Sequence, residues 1–405
     1  MSENRHEPGP GSLAPAGLAE DLPTRWSRLR GQMDSRELTW LLAVRDESVT
    51  YLSGYVSTTF RMHSRPIVAL LGHDDLHVVA AETEVDSVRL RAPGAIVHSY
   101  VEMDPPGPGL PDGYLQFAPH AARVLDAIIS DSPGSVGVDG FRASWPPVGQ
   151  LTDLMPALSD RRASNNTATV DASALVWACR SVKSAWEQAR MRHTAGVLSR
   201  VFDVMPDRIR PGMTEREISR EFSIAQLELG AHEVGPHGSV ARVHHGLFGG
   251  PTDAVWHPGD LLYLDGAPII DGYWADFCRI YAARRPSPSE REGYARAVAG
   301  LDAARELVAA GESAAVVGEA MRRAMRVEPT EVGFGRFGHG IGLHVPEPPS
   351  LHPDDPTTFQ PDNTVCLEPC VRHDGLNFVV EETCVITDSG LDLISPAAVR
   401  SIIEL

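Results

Sequence analysis

Apolar residues in the first part of this chain come in short runs of strand length, separated by turn residues. Residues 38–44 (LTWLLAV) read as a buried strand, and 49–55 (VTYLSGY) as a further one. Residues 66–71 (PIVALL) and 76–80 (LHVVA) flank a Gly-His-Asp-Asp turn, the pattern of a hairpin. Proline and glycine crowd 104–113, which predicts a loop. The Ala-rich stretch 120–130 predicts a helix, and VGVDG at 136–140 a short strand. Together these make a small α/β domain over 25–170. Residues 1–24, rich in Pro, Gly, Ala and charge, hold few apolar side chains to offset the entropy of ordering, which predicts a disordered tail.

The pattern then changes period. Residues 180–207 place charges on one face and Ala, Met, Val, Leu and Phe at helical spacing. This predicts a long amphipathic linker helix within 171–207, at the start of a second domain over 171–405. Thr214 followed by Glu217 is a capping box and starts another helix. Gly-rich strands follow to 283, then helices over 288–309 and 313–327, then strands again. Helix, helix, strands is an order that occurs twice. It predicts two similar halves with any site in their seam.

Composition narrows the partners. A chain of 405 residues is too long for one ordinary core, in keeping with two domains. The 36 basic and 54 acidic residues leave a net charge of -18, which repels nucleic acid and anionic lipid. No apolar run is long enough to span a membrane, and the N-terminus lacks the pattern of a secretory signal. The five cysteines include no CxxC pair, the usage expected of a reducing cytoplasm, with thiols serving as small buried apolar groups.

The chemistry lies in the second domain. The segment 259–281 (GDLLYLDGAPIIDGYWADFCRIY) reads as a strand, 261–264, ending in Asp265, then an Asp-Gly turn at 271–272 and a return strand carrying Asp276. A carboxylate in an apolar strand is costly to bury unpaired, and two across one hairpin repel unless a cation lies between them. His339 is flanked by glycines in GHGIGLH, which leaves room beside its ring. Glu368 (VCLEPC) and Glu381 (FVVEETCVIT) each sit in apolar strands. Four carboxylates and one imidazole form a hard site suited to Mn, Co, Fe or Zn rather than Cu(I) or an iron–sulfur cluster. Several carboxylates can bridge two ions, which polarise a scissile carbonyl and acidify a shared water.

The order LDGAPIIDGYWAD, GHGIGLHVPEPPSL, LEP, VEETCVIT resembles the aminopeptidase P, prolidase, methionine aminopeptidase and creatinase superfamily. RSVKSAWEQARMR and VTYLSGY are also similar to this group, so the resemblance covers residues 26–395. It implies an α+β protein: a pita-bread C-terminal catalytic domain with pseudo-twofold halves, preceded by a smaller α/β creatinase-like N-terminal domain. It implies two divalent ions, manganese first among the four metals, and a cytoplasmic homodimer acting on a short peptide or small molecule. Asp265 would hold one ion, Asp276 and Glu381 would bridge, and His339 and Glu368 would complete the shells. Glu368 would also serve as general base and then acid. The implied reaction is hydrolysis of a C–N bond in a proline-like or N-substituted amino-acid substrate.

The sequence departs from the group's peptidases at defined places. One histidine usually stands three residues before a Pro-Thr-Asp turn; here that residue is Phe248, with His244 and His245 just upstream. A second usually stands seven residues after the ligand histidine; here it is Pro346, with His344 two residues earlier. Positions 344 and 346 of an extended segment lie about 7 Å apart on one side, so His344 reaches part of that space. The arginine often found two residues before the last glutamate is Val379, and Cys370 replaces a common glycine. Losing an imidazole that steadies the transition state costs roughly two to three orders of magnitude in rate. Either His344 and His245 have taken over, or the substrate is not a peptide, as in ectoine hydrolysis, creatinase-like chemistry or lyase chemistry. A third alternative is a binding protein that has lost catalysis. Phe60, Arg61 and Arg65, in an N-terminal loop, with Phe248, Trp274 and Pro346, are the candidate substrate-lining residues; an arginine there could clamp a carboxylate. The cysteines flanking the ligand strands are expected to be inert, a thiolate ligand being the alternative.

Overall fold

The computed structural model describes residues 13–61, 65–101, 113–139, 169–243, 249–328 and 335–405. Residue contacts divide the chain into two compact units, Met1–Arg180 and Ser181–Leu405. Among the described residues, no helix is long and apolar enough to cross a membrane.

The first unit runs α1 (Leu18–Asp34), β1 (Trp40–Ala43), α2 (Asp46–Ser53), α3 (Thr58–Arg61), β2 (Val68–Leu71), β3 (Leu76–Ala81), α4 (Val85–Arg91), β4 (Ala95–Tyr100), α5 (Gly113–Asp131), β5 (Val136–Asp139), β6 (Thr169–Asp171) and α6 (Ser173–Ser181). Its strands form one mixed sheet in the order β4-β3-β2-β1-β5-β6. The hairpin read at 66–80 is the antiparallel pair β2–β3, with Leu71 opposite Leu76. Two readings are corrected. Residues from 18 onward are helical rather than tail, because Leu18, Leu22, Arg25, Leu29 and Met33 recur at helical spacing and are all buried. VTYLSGY is largely helix α2, not strand. Its apolar run is too short for its period to be read, Asp46 and Glu47 favour a helix start, and Gly54 ends it in the left-handed conformation at φ 75°.

The second unit runs α7 (Ala185–Arg208), α8 (Glu215–Glu228), β7 (Glu233–Arg242), β8 (Leu261–Ile270), β9 (Tyr273–Trp274), β10 (Phe277–Ala282), α9 (Pro288–Leu307), α10 (Ala314–Met325), β11 (Gly338–Gly340), β12 (Glu347–Ser350), β13 (Thr364–Leu367), β14 (Cys370–His373), β15 (Leu376–Val379), β16 (Glu382–Thr387), β17 (Gly390–Leu393) and β18 (Ile403–Glu404). The single linker helix expected within 171–207 is two helices. The chain leaves the helical path after Ser181, where Val182 bridges Asn363 and Ser184 caps the N-terminus of α7.

Local chemistry sets the helix starts. Ser184 with Glu187, Thr214 with Glu217 and Ser287 with Glu290 each form a reciprocal capping box. Two helices then strands occur twice, as α7–α8 with β7–β10 and α9–α10 with β11–β17. The first half's sheet has the order β18-β10-β8-β7, with β9 folded back onto β8; the second half's has the order β12-β11-β13-β16-β17. The β8–β9 turn uses Asp271 and Gly272 with φ of 52° and 85°, as a two-residue hairpin of this hand requires. Tyr263, Ile280, Leu301, Met321, Phe337, Leu367 and Phe378 belong to one core that joins both halves. At Gly266 a side chain would collide with Leu198 and Phe222, so glycine lets α7 and α8 pack closely beside Asp265.

Candidate metal centre

Five residues expected as ligands are carried by both halves. Asp265 lies within β8, which continues to Ile270 rather than ending at the aspartate as the sequence reading has it. Asp276 falls in the gap between β9 and β10. Glu368 follows β13, and Glu381 occupies the gap between β15 and β16. Neither glutamate is inside a strand, another correction. A ladder residue can point only to one of two faces, so leaving the ladder frees the carboxylates to turn toward the seam. His339 is central in β11, where the register shifts between β11 and β12.

The side chains converge. His339 Nε2 lies 3.6 Å from Asp276 Oδ2 and 3.6 Å from Glu368 Oε2. His339 Nδ1 lies 2.9 Å from the Gly340 carbonyl, which can only accept, so Nδ1 carries the proton and Nε2 offers its lone pair to the carboxylates. Burial holds this imidazole down to about 4, so it is neutral and cannot balance the acids. Donor atoms of Asp276, His339, Cys366 and Glu381 all lie within 4.8 Å of one another.

Electrostatics point to a missing positive charge. Burial, then the charges of Asp265 and Glu368, push Asp276 well above the carboxylate range. Glu381 is raised in the same way, by burial and then by Asp276. Burial lifts Asp265 to about 6 and, with help from Asp265, Glu368 to about 8. Arg336 pulls Asp276 and Glu368 back only in part. Asp265 Oδ1 and both carboxylate oxygens of Glu381 are buried with no hydrogen-bond partner among the described residues. Such oxygens are costly to keep unless a cation satisfies them. Oxygen donors with one imidazole nitrogen fit divalent transition ions.

Trp274 is in β9; its Nε1 donates to the Leu343 carbonyl at 3.1 Å, and its ring stands 6.4 Å from that of His344. His344 and Pro346 are exposed, and His344 Nδ1 donates to the Pro346 carbonyl at 3.2 Å instead of turning to the carboxylates. Val379 is buried at the end of β15. Phe60 and Arg61 fall in α3 and Arg65 in the segment after it, all in the first unit. His244, His245 and Phe248 lie outside the described residues. Cys366, expected to be inert with a thiolate ligand as the alternative, places its sulfur among the clustered donor atoms. One feature went unread in the sequence. Lys183 pairs with Glu347 at 2.9 Å, both fully buried, and Glu347 also accepts from the Leu343 amide. This pair ties down the loop that follows His339, and no local pattern announces it.

A buried, carboxylate-rich centre in the seam of a duplicated α+β unit defines a metal-dependent hydrolase. The family model for metallopeptidase family M24 matches residues 189–388, and that for the creatinase/prolidase N-terminal domain matches 25–182. Between them they account for most of the chain, which belongs to this superfamily of aminopeptidase P, prolidase and creatinase. A probable dipeptidase PepE of Mycobacterium tuberculosis (strain ATCC 25618 / H37Rv) is 28% identical over 280 residues, 66% of this chain and 73% of that one. The ectoine hydrolase of Halomonas elongata is 24% identical over 405 residues, 93% of this chain and 95% of that one. An X-Pro aminopeptidase from Thermotoga maritima shares the fold, with a TM-score of 0.77 at 19% identity over 94% of this chain and 99% of that one. The second unit is thus the pita-bread fold and the first the creatinase-type N-terminal domain.

Proposed function

We propose that this protein hydrolyses the C–N bond of a small Xaa-Pro-like peptide or N-substituted amino acid, at two divalent ions held by Asp265, Asp276, His339, Glu368 and Glu381. The observation that carries this reading is the set of buried carboxylates with unpaired oxygens around a neutral imidazole. When bound, the ions polarise the scissile carbonyl and make water nucleophilic at neutral pH. Glu368 takes the proton from the attacking water and returns it to the leaving nitrogen. His339 keeps its Nε2 lone pair aimed at the cluster because Gly340 holds the opposite nitrogen. The oxygen-rich donors favour manganese within the Mn, Co, Fe, Zn set. Five free, buried thiols agree with a reducing cytoplasm, and the homodimer is the state that the resemblance implies.

Metal analysis of protein purified without chelator tests the centre: about two ions per chain are expected. Asp276→Ala and Glu381→Ala should each remove metal and activity together. Glu368→Gln should lower kcat about 100- to 10,000-fold with KM little changed. An empty centre in the unaltered protein would remove the proposal.

A second reading keeps the centre but changes the substrate to a non-peptide, such as a cyclic amidine. It is favoured by Pro346 and Phe248 where peptidases of the group carry histidines, and by the end-to-end alignment with an ectoine hydrolase. A panel of Xaa-Pro dipeptides and tripeptides separates the two: turnover supports the first reading, and none with metal bound supports the second.

A further inference from the structure

Cys366 lies in β13, directly opposite His339 of β11 on one side and Thr383 of β16 on the other. Residues directly opposite in a sheet share a face, so its thiol stands on the same side as the imidazole. Its Sγ is one of the four donor atoms within 4.8 Å of one another, with Asp276, His339 and Glu381, and the residue is completely buried. Thr383 Oγ1 donates to the Asp276 carbonyl at 3.0 Å and lies 3.4 Å from the Cys366 sulfur. With that hydroxyl's hydrogen committed, the thiol has two acceptors for its own, Thr383 Oγ1 and the Asp276 carbonyl at 3.9 Å, and no donor engages the sulfur lone pairs among these contacts. Glu381 supplies an independent sign of a ligand: it is 1% exposed, and neither of its oxygens has a partner among the described residues. Cys278, opposite Asp265 in the neighbouring sheet, is not among those four clustered donors, and its sulfur lies 3.8 Å from the Val379 carbonyl.

We propose that Cys366 is a sulfur ligand of this centre, and that it shifts the centre's preference from manganese toward zinc and cobalt. The inference rests on the metal-centre reading given above. On binding, the S–H bond breaks, the proton leaves to solvent, and a sulfur lone pair goes to the ion; no oxidant or reductant takes part. Thiolate is a soft donor, and adding it to a carboxylate set favours the more thiophilic ions.

Cobalt loading of the full chain tests the proposal by a signal that does not depend on turnover. The cobalt protein is expected to show a near-ultraviolet thiolate-to-cobalt charge-transfer band. Cys366→Ser should bind cobalt without that band, and Cys278→Ser should keep it. Zinc affinity should fall about 10- to 100-fold in Cys366→Ser, while manganese affinity stays within a few-fold. X-ray absorption of the unaltered zinc protein should show sulfur at about 2.3 Å, a measurement that stands even if the serine variant fails to fold. Full cobalt occupancy with no band, or zinc with only nitrogen and oxygen neighbours, overturns the sulfur ligand and leaves the metal centre standing. No bound cobalt or zinc at all overturns both.

Discussion

Lys183 and Glu347 show what one side chain does for this centre. Both are almost fully buried, their charged atoms are 2.9 Å apart, and Glu347 also holds the Leu343 amide. A buried ion pair adds little over an apolar pair of equal volume, but removing one partner strands a charge. Lys183→Met should therefore cost about 3–5 kcal/mol in urea unfolding, and Lys183→Met with Glu347→Leu should recover most of it. The double variant should still bind metal less tightly, since the loop after His339 has lost its tie. A double variant no more stable than the single one would show that the pair is not coupled. The pair was invisible in the sequence because its members stand 164 residues apart. The candidate carboxylates stood out for the opposite reason, since an acid within an apolar run is anomalous where it stands. Cys366 was read as inert first and as a thiolate ligand second, because a thiol in a strand looks like any small apolar residue.

Among the elements, the start of α8 was readable because Thr214 followed three residues later by Glu217 is a local signal with a local cause, whereas the same signal at Ser184 and Glu187 was hidden inside a longer helical pattern. Strand ends were the least readable. Nothing local shows that β13 stops before Glu368, or that β8 runs past Asp265. Element α2 was misread because seven residues do not separate a period of two from one of 3.6. The β3–β4 pair carries a pH dependence. His77 Nδ1 and His98 Nε2 lie 2.9 Å apart with rings stacked at 5.2 Å, so one donates to the other and both are neutral. Burial, then the neighbouring His77, holds His98 down to about 4 from 6.5; Asp75 opposes the shift only at His77. The folded chain thus binds this proton less readily than the unfolded chain. The stability held by the neutral pair is present above pH 6.5 and is lost as pH falls from there toward about 4. His98→Gln should be less stable than the unaltered protein at pH 7, with the gap in urea midpoint narrowing by pH 5. A constant gap would mean that the pair does not titrate between the two.

At the scale of the whole second unit, the duplicated order of helices and strands was legible because it repeats, and the superfamily motifs singled out the candidate acids. What could not be read was how the seam closes, since Thr383 and Cys366 meet the Asp276 backbone only in the fold. The centre should also govern stability. Without ions, the buried acids repel one another, so chelation should lower Tm. At a thousandfold excess over Kd, each ion restores about 4 kcal/mol. Asp276→Asn, measured under chelation, should melt above the chelated unaltered protein, because one of the repelling charges is gone. An unchanged Tm on chelation would deny that coupling. The placement of ligands on both halves has a consequence during synthesis. Asp265 and Asp276 leave the ribosome long before Glu381, with helices α9 and α10 still to be made between them. A cation met early would find two acids on one hairpin and be held weakly, and the second half must close a long loop before the full set exists. On the proposed ligand set, the finished fold and not the growing chain would choose the ion, from whatever the surrounding solution then offers.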